Sequence, residues 1–286
     1  MKTILIQLDT DSLPSTFDRV VAVDAGVDEL FSYGGVNAGN VETLVHGAMF
    51  TRGVPDLKST AIFLGGSQVA DGEALLKRVK KIFFGPMRVS VMMDSNGSNT
   101  TAAAAVLAAR KHVTLKGADA LVLAGTGPVG QRASQLLAKE GARVRVASRS
   151  VDRARQTCDA IVAAVPGAEL TPVQSTSSAE LEKACEGVAV VIAAGAAGVE
   201  LLSADQVKGM SALKVAIDLN AVPPAGIAGV EVMDKAVERN GVLCYGAIGV
   251  GGTKMKIHKA ALKKLFTAND LVLDTEAIYA IGSELG

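Results

Sequence analysis

The sequence lacks several things that would define whole classes of function. It has no run near the ~18 consecutive apolar residues that a membrane span needs. The start, MKTILIQLDTDS, has one lysine and a short apolar run that ends in aspartates, without the longer apolar stretch and small-residue cleavage site of a signal peptide. A cytoplasmic location is therefore the default expectation. Net charge is also missing: 29 acidic residues balance 29 basic ones. Nucleic acid as the main partner would need a strong positive field, which a neutral surface does not supply. The three cysteines, Cys158, Cys185 and Cys244, are odd in number, far apart and without C-x-x-C spacing, so they fit small buried thiols rather than a zinc site or a disulfide framework. His46, His112 and His258 do not cluster, and a metal-dependent mechanism has little support. Aromatic residues make up only 3% of the chain, and there is no tryptophan.

What is present is material for buried cores. Of the 286 residues, 49% are hydrophobic and 20% charged, which suits two folded domains of ordinary size and excludes disorder. Short apolar runs at 4–8, 61–64, 88–92, 120–123, 144–147, 188–192 and 214–217 are mostly rich in Val, Ile and Leu without polar alternation. Strands buried on both faces of a parallel sheet read this way. Between them lie amphipathic stretches. One, 72–84, sets Leu75, Leu76, Val79, Ile82 and Phe83 against Lys77, Lys80 and Lys81. Another, 99–110, is alanine-rich after an Asn-Thr-Thr start suited to capping. The alternation predicts βαβ units and an α/β fold of two open, doubly wound domains with a cleft between them. The first domain is expected to comprise 1–100 and, through a returning terminal helix, 265–286. The second, 101–264, is expected to be a Rossmann-type dinucleotide-binding domain.

The sharpest motif is Gly125-Thr126-Gly127-Pro128-Val129-Gly130, preceded by the strand pattern ALVLA and followed by a helical stretch at 131–140. The first glycine permits a tight turn, the second lets backbone approach a pyrophosphate, and the third allows close helix–strand packing. The anion would sit on free amides at a positive helix end. The next strand ends in Ser148-Arg149-Ser150, where an NAD site usually carries an acidic residue for the ribose hydroxyls. Two hydroxyls and a guanidinium suit a 2′-phosphate instead, with Arg153 as a second positive charge, so NADP is the expected cofactor. Ala194 and Gly195 end a later strand with small residues where a nicotinamide could lie. Asn220, in a loop that reads equally well as a plain turn, could donate to its carboxamide. The loop Asp94-Ser95-Asn96-Gly97-Ser98-Asn99-Thr100 is dense in hydrogen-bonding groups. It is a candidate ligand loop, with helix capping as the plainer alternative.

Five stretches in order, LDTDSLPSTFD, DSNGSNTTAAAA, LAGTGPVG, DLNAVPPAGI and GAIGVGGTKMKIHKA, carry a resemblance over essentially the whole chain. Together they resemble the NADP-dependent methylene-tetrahydromethanopterin dehydrogenases of methylotrophic bacteria. The resemblance implies a pterin held by the N-terminal domain with the C-terminal helix, and NADP held by the middle domain. A hydride would pass from the methylene carbon to the nicotinamide in one-carbon metabolism, with methylene-tetrahydrofolate as a second possible pterin. No hydroxyl proton leaves in such a step, so no general base is required. A carboxylate near the ring could favour the methenyl cation. Asp94 is the catalytic candidate, with Asp9 and Asp11 beside it. Lys256, placed in a Gly-rich turn, is expected to meet a polar or anionic part of substrate. The pterin would lie mostly against aliphatic and backbone surface, Phe17, Tyr33 and Phe50 being the few aromatic exceptions, and Ser95 to Thr100 would complete its pocket. Arg52 and Lys58 could meet an acidic tail, although surface charge is the safer reading. A homo-oligomer is compatible with the apolar content. Two other classes remain open: a shikimate-type dehydrogenase, for which Lys58 with Asp94 is the one available pair, and a non-catalytic NADP-sensing protein.

Overall fold

A computed structural model describes all 286 residues. The chain divides into two compact units, Met1–Thr100 with Met255–Gly286, and Thr101–Lys254. Residues 255–264, expected in the second domain, thus group with the first.

In the first unit the chain alternates β1 (Ile4–Asp9), α1 (Thr16–Asp24), β2 (Glu29–Tyr33), α2 (Val41–Phe50), β3 (Thr60–Gly65), α3 (Val69–Ile82) and β4 (Ser90–Met93). A short 3₁₀ turn at Ser95–Gly97 leads into α4 (Ser98–Arg110), whose first residues belong to this unit and whose remainder belongs to the second. Near the end of the chain, β12 (Val272–Leu273) and α10 (Thr275–Glu284) return to the first unit. The five-stranded sheet has the order β12-β4-β3-β1-β2, and every pairing is parallel. Its central strands, such as the wholly buried TAIFLG of β3, are apolar on both faces because helices cover both. Ile6, Leu8, Ile62, Leu64, Val79 and Val91 are among the buried residues of one such core.

The second unit runs β5 (Asp119–Leu123), α5 (Pro128–Lys139), β6 (Arg143–Ser148), α6 (Val151–Ala164), β7 (Glu169–Gln174), α7 (Ser178–Cys185), β8 (Val190–Ala193), α8 (Ala204–Gly209) and β9 (Val215–Asp218). The pair β10 (Lys235–Arg239) and β11 (Val242–Tyr245) then leads into α9 (Ala247–Lys264), which continues into the first unit. The seven strands lie in the order β10-β11-β9-β8-β5-β6-β7, with only β10 antiparallel. The order reverses between β5 and β8, and dinucleotides bind outside the strand ends at such a switch point. Helix starts are fixed by serine caps: Ser150 accepts from Arg153 N, and Ser177 and Ser203 form capping boxes with Glu180 and Gln206.

Each of the seven apolar runs overlaps a strand, while β2, β7, β10, β11 and β12 were not expected. Four of these are sheet edges: the two-residue β12, and β2, β7 and β10 with the mixed sequences ELFSY, ELTPVQ and KAVER; the edge position is what tolerates Pro172 inside β7. The terminal helix, expected from about Lys254 after a Gly-rich turn, starts earlier, since α9 begins at Ala247. Glycine costs a helix about 1 kcal/mol, but a Cβ on Gly249 would lie 1.7 Å from the Asp234 carbonyl oxygen. Close packing of α9 on that backbone requires the glycine. Lys254 and Lys256 are therefore helical residues about 200° apart around the axis.

Candidate functional site

At the end of β5 the chain turns through Ala124, whose φ is 52°, and runs through the glycine motif into α5. A Cβ on Gly125 would lie 2.7 Å from Val146 Cγ1, and one on Gly130 would lie 2.6 Å from the Ala124 carbonyl oxygen. These two glycines let turn, strand and helix meet. Gly127 is the helix cap and has no side chain to cover the first-turn amides, while Pro128 at the first helical position has no N–H to offer. The amides of Val129 and Gly130 stand at a positive helix end. Gln131 braces the turn by donating to the Thr126 carbonyl oxygen at 2.8 Å.

The neighbouring strand end adds hydroxyls. Ser148 Oγ lies 3.3 Å from Thr126 Oγ1 and accepts the Ser150 N–H at 3.3 Å. Ser150 Oγ accepts from Arg153 N at 3.4 Å as the cap of α6, which leaves its own proton available for a ligand. Arg149 and Arg153 are exposed, and no carboxylate occupies the end of β6.

Ala194 and Gly195 follow β8. A Cβ on Gly195 would lie 2.7 Å from Leu201 Cδ1, so packing already accounts for that glycine. Asn220 is turned into its own loop: its Nδ2 donates to the Pro224 carbonyl oxygen at 2.9 Å, and its Oδ1 accepts the Val222 N–H at 2.9 Å. Asp218, which the sequence did not single out, anchors that loop by accepting from Asn220 N at 3.0 Å and Ile227 N at 2.9 Å. A cavity of about 350 Å³ opens here, lined by Asp218, Asn220, Val222, Pro223, Val232 and Gly246 among others.

In the first unit, the polar loop after β4 is mostly internal scaffold. Asp94, Ser95, Ser98, Asn99 and Thr100 are buried, and only Asn96 and Gly97 reach the surface. Asp94 Oδ1 accepts the N–H groups of Asn99 (2.9 Å) and Thr100 (3.0 Å), and its Oδ2 accepts the Thr100 hydroxyl at 2.6 Å. This carboxylate is buried and caps α4. Ser98 donates to the Ser95 carbonyl oxygen, and Asn99 joins the Met93 carbonyl oxygen to the Thr275 hydroxyl. These contacts are those of the capping alternative.

Asp9 and Asp11 are likewise loop organisers. Asp9 accepts from Asp11 N (2.9 Å) and Ser15 N (3.0 Å), and Asp11 accepts from both N and Oγ of Ser67 at 2.9 Å. Phe17, on the first turn of α1, is 50% exposed. Lys256 is exposed on α9. Arg52 donates to the carbonyl oxygens of Ser59 and Lys2, so the structure engages it within its own unit.

One residue that sequence reasoning passed over joins this group. His258 of α9 is fully buried, with Nδ1 4.0 Å from Asp94 Oδ2 and its ring stacked on Phe63. Asp94 and His258 lie far apart in sequence, and only the return of the chain to the first unit brings them together.

Comparison with known proteins supplies the family. The family described as methylene-tetrahydromethanopterin dehydrogenase, N-terminal, matches residues 16–96. A protein of Methylorubrum extorquens named Bifunctional protein MdtA is 44% identical over 286 residues, covering 99% of both chains. A second from the same organism, named NAD(P)-dependent methylenetetrahydromethanopterin dehydrogenase, is 31% identical over 99% of both. In solved structures the fold is similar to quinate dehydrogenase from Corynebacterium glutamicum, with a TM-score of 0.56, 14% identity and 99% of both chains covered. On full-length identity above 30%, the chain belongs to the methylene-tetrahydromethanopterin dehydrogenase family.

Proposed function

We propose that the protein reversibly transfers a hydride from the methylene carbon of methylene-tetrahydromethanopterin to NADP, giving the methenyl pterin. The observation that carries this reading is full-length similarity to a methanopterin dehydrogenase, with the glycine turn in place on its strand and helix. The turn is built for a pyrophosphate: backbone fits where a Cβ would clash, and no side chain covers the cap. Thr126, Ser148, Arg149, Ser150 and Arg153 offer hydroxyls and guanidinium groups where a 2′-phosphate would sit. The cavity beside Asn220 offers room for the nicotinamide end.

The chemistry asks little of side chains. The methenyl product is an amidinium-like cation stabilised by its own nitrogens, so no base must remove a hydroxyl proton. The protein's work is to orient two rings and exclude water. In the first unit, Asp11, Phe17, Asn96 and Gly97 are the candidate residues that reach the surface, and Lys256 is the exposed cation for a polar substituent. Asp94 acts on Asn96 and Gly97 through the loop it anchors. No helix is long and apolar enough to cross a membrane, in keeping with a cytoplasmic enzyme. Exposed Phe31 and Tyr33 on the edge strand β2 favour a homo-oligomer.

The test is direct. Purified protein is mixed with methylene-tetrahydromethanopterin, methylene-tetrahydrofolate or shikimate, and nicotinamide absorbance is followed with NADP and with NAD. Reduction of NADP with the methanopterin substrate is expected; no reduction with either pterin would sink the reading.

A further inference from the structure

His258 is a polar side chain in the middle of an apolar stripe. Its neighbours on α9, Ile257, Ala261 and Leu262, are buried hydrophobics, and His258 itself has 0% exposure. Burying an imidazole is costly relative to a leucine of similar volume unless its polar edge has a use. Here the edge faces a carboxylate: Nδ1 is 4.0 Å from Asp94 Oδ2, near enough for an electrostatic contact and too far for a direct hydrogen bond. One face of the ring stacks on Phe63 of β3, with centroids 5.6 Å apart and planes 21° apart. On another side lies Phe17, at 6.5 Å and tilted by 41°. Phe63 is paired in register with Met92 of β4, next to the strand end that carries Asp94.

The imidazole therefore connects three things: the carboxylate that caps α4, the central sheet, and the half-exposed ring of Phe17. Asp94 holds the amides of Asn99 and Thr100, so its position sets the turn Ser95–Gly97 just before them. That turn contains Asn96 and Gly97, which face solvent and have left-handed φ values of 54° and 58°. One side chain thus touches both the carboxylate that anchors this turn and the half-exposed ring of Phe17.

We infer that His258 is a positioning residue for the pterin: its polar edge seats the Asp94 cap and its face sets the plane of Phe17, without touching substrate or cofactor. The inference rests on the proposed reading that this surface holds the pterin. An aromatic core residue would satisfy packing alone, whereas this role needs the polar edge as well.

The experiment compares wild type with His258→Phe, His258→Leu and His258→Asn. Phe keeps ring and volume without the polar edge; Asn keeps a hydrogen-bonding group near the Nδ1 position without the ring. Wild-type turnover is measured first, so that absence of any pterin activity counts against the functional reading and not against this one. For His258→Phe and His258→Leu, the pterin KM should rise about fivefold or more and kcat should fall about tenfold, as expected when a reacting ring is misplaced by a fraction of an ångström. NADP affinity, read by NADPH fluorescence, should stay within about twofold, because the glycine turn belongs to the other unit. His258→Asn should recover a substantial part of kcat. If His258→Phe matches wild type in both pterin KM and kcat, the residue only fills the core and the inference falls. If His258→Phe does not fold, His258→Asn decides: near wild-type kcat supports the role of the edge, and a loss equal to that of His258→Leu overturns it.

Discussion

Both units end a central parallel strand with a turn into a helix, and they satisfy that helix in opposite ways. After β4 in the first unit, a buried carboxylate closes the start of α4, so the amides of Asn99 and Thr100 already have their acceptor. After β5 in the second, the cap of α5 is Gly127, and no side chain covers the amides. The same helix dipole is thus neutralised internally in one case and left for an external anion in the other. The junction after β5 is thus open to an anion, and the Asp94-capped junction after β4 is not.

The largest test of this contrast is Gly130→Ala. The added methyl would lie 2.6 Å from the Ala124 carbonyl oxygen and 2.8 Å from Gly125 Cα, both backbone atoms that cannot rotate away. The turn must open, and NADP affinity should fall about 100-fold, equivalent to about 2.7 kcal/mol. Fluorescence titration with NADPH measures it. An unchanged affinity would show that the dinucleotide does not use this turn.

Next comes Asp94→Ala, which removes the acceptor for two amides and one hydroxyl inside the first unit. Loss of a cap and of buried hydrogen bonds to a charged group should destabilise by about 2–4 kcal/mol. Urea unfolding should show this, and NADP affinity should hold under native conditions. Asp94→Asn should restore part of the loss, because an amide oxygen can still accept from Asn99 and Thr100. Full stability with lost turnover would instead make Asp94 a group that acts on the substrate cation.

Arg149→Ala should have a smaller effect, confined to one cofactor. A charge-assisted hydrogen bond to phosphate contributes about 1.5–3 kcal/mol, so NADP should weaken about 10- to 100-fold while NAD changes little. Isothermal titration with both nucleotides separates the outcomes. Equal weakening of the two would mean that Arg149 does not meet the 2′-phosphate.

The contrast also explains what could be read without coordinates. The glycine turn, the missing acid after β6 and the buried strands are written in adjacent residues, through backbone sterics and apolar runs. The polar loops of the first unit are equally visible, but residue type does not say which way a side chain faces. Asp9, Asp11 and Asp94 have the composition of a ligand site and the contacts of a scaffold. His258 was hidden for another reason: its partner Asp94 comes from a strand end in the N-terminal stretch, and no local spacing encodes that meeting. The edge strands were missed because a half-exposed strand such as β7 has neither an apolar run nor clean alternation.

The last test concerns the thiols, and it sharpens the comparison by titrating groups that all lie in one unit. Cys158, Cys185 and Cys244 are all free, buried and within the second unit, Thr101–Lys254. Burial pushes each up to about 11. It also raises the Tyr245 hydroxyl in the same unit. Because the folded state keeps protons that the unfolded chain releases above about pH 8.5, the contribution to stability is complete below that pH. It is then lost progressively as pH rises toward about 11. At pH 10 the second unit should therefore open more readily than at pH 7.5, and alkylation of its cysteines in dilute urea should detect the opening. Backbone hydrogen exchange in β3 and β4, once corrected for intrinsic rates, should show no matching change in the first unit. Replacing the three cysteines with alanine should flatten the alkaline fall in the urea midpoint and leave turnover within about twofold, since none of them lies at the glycine turn. An equal alkaline fall in the triple variant would assign the effect to other groups and remove the thiols from the account.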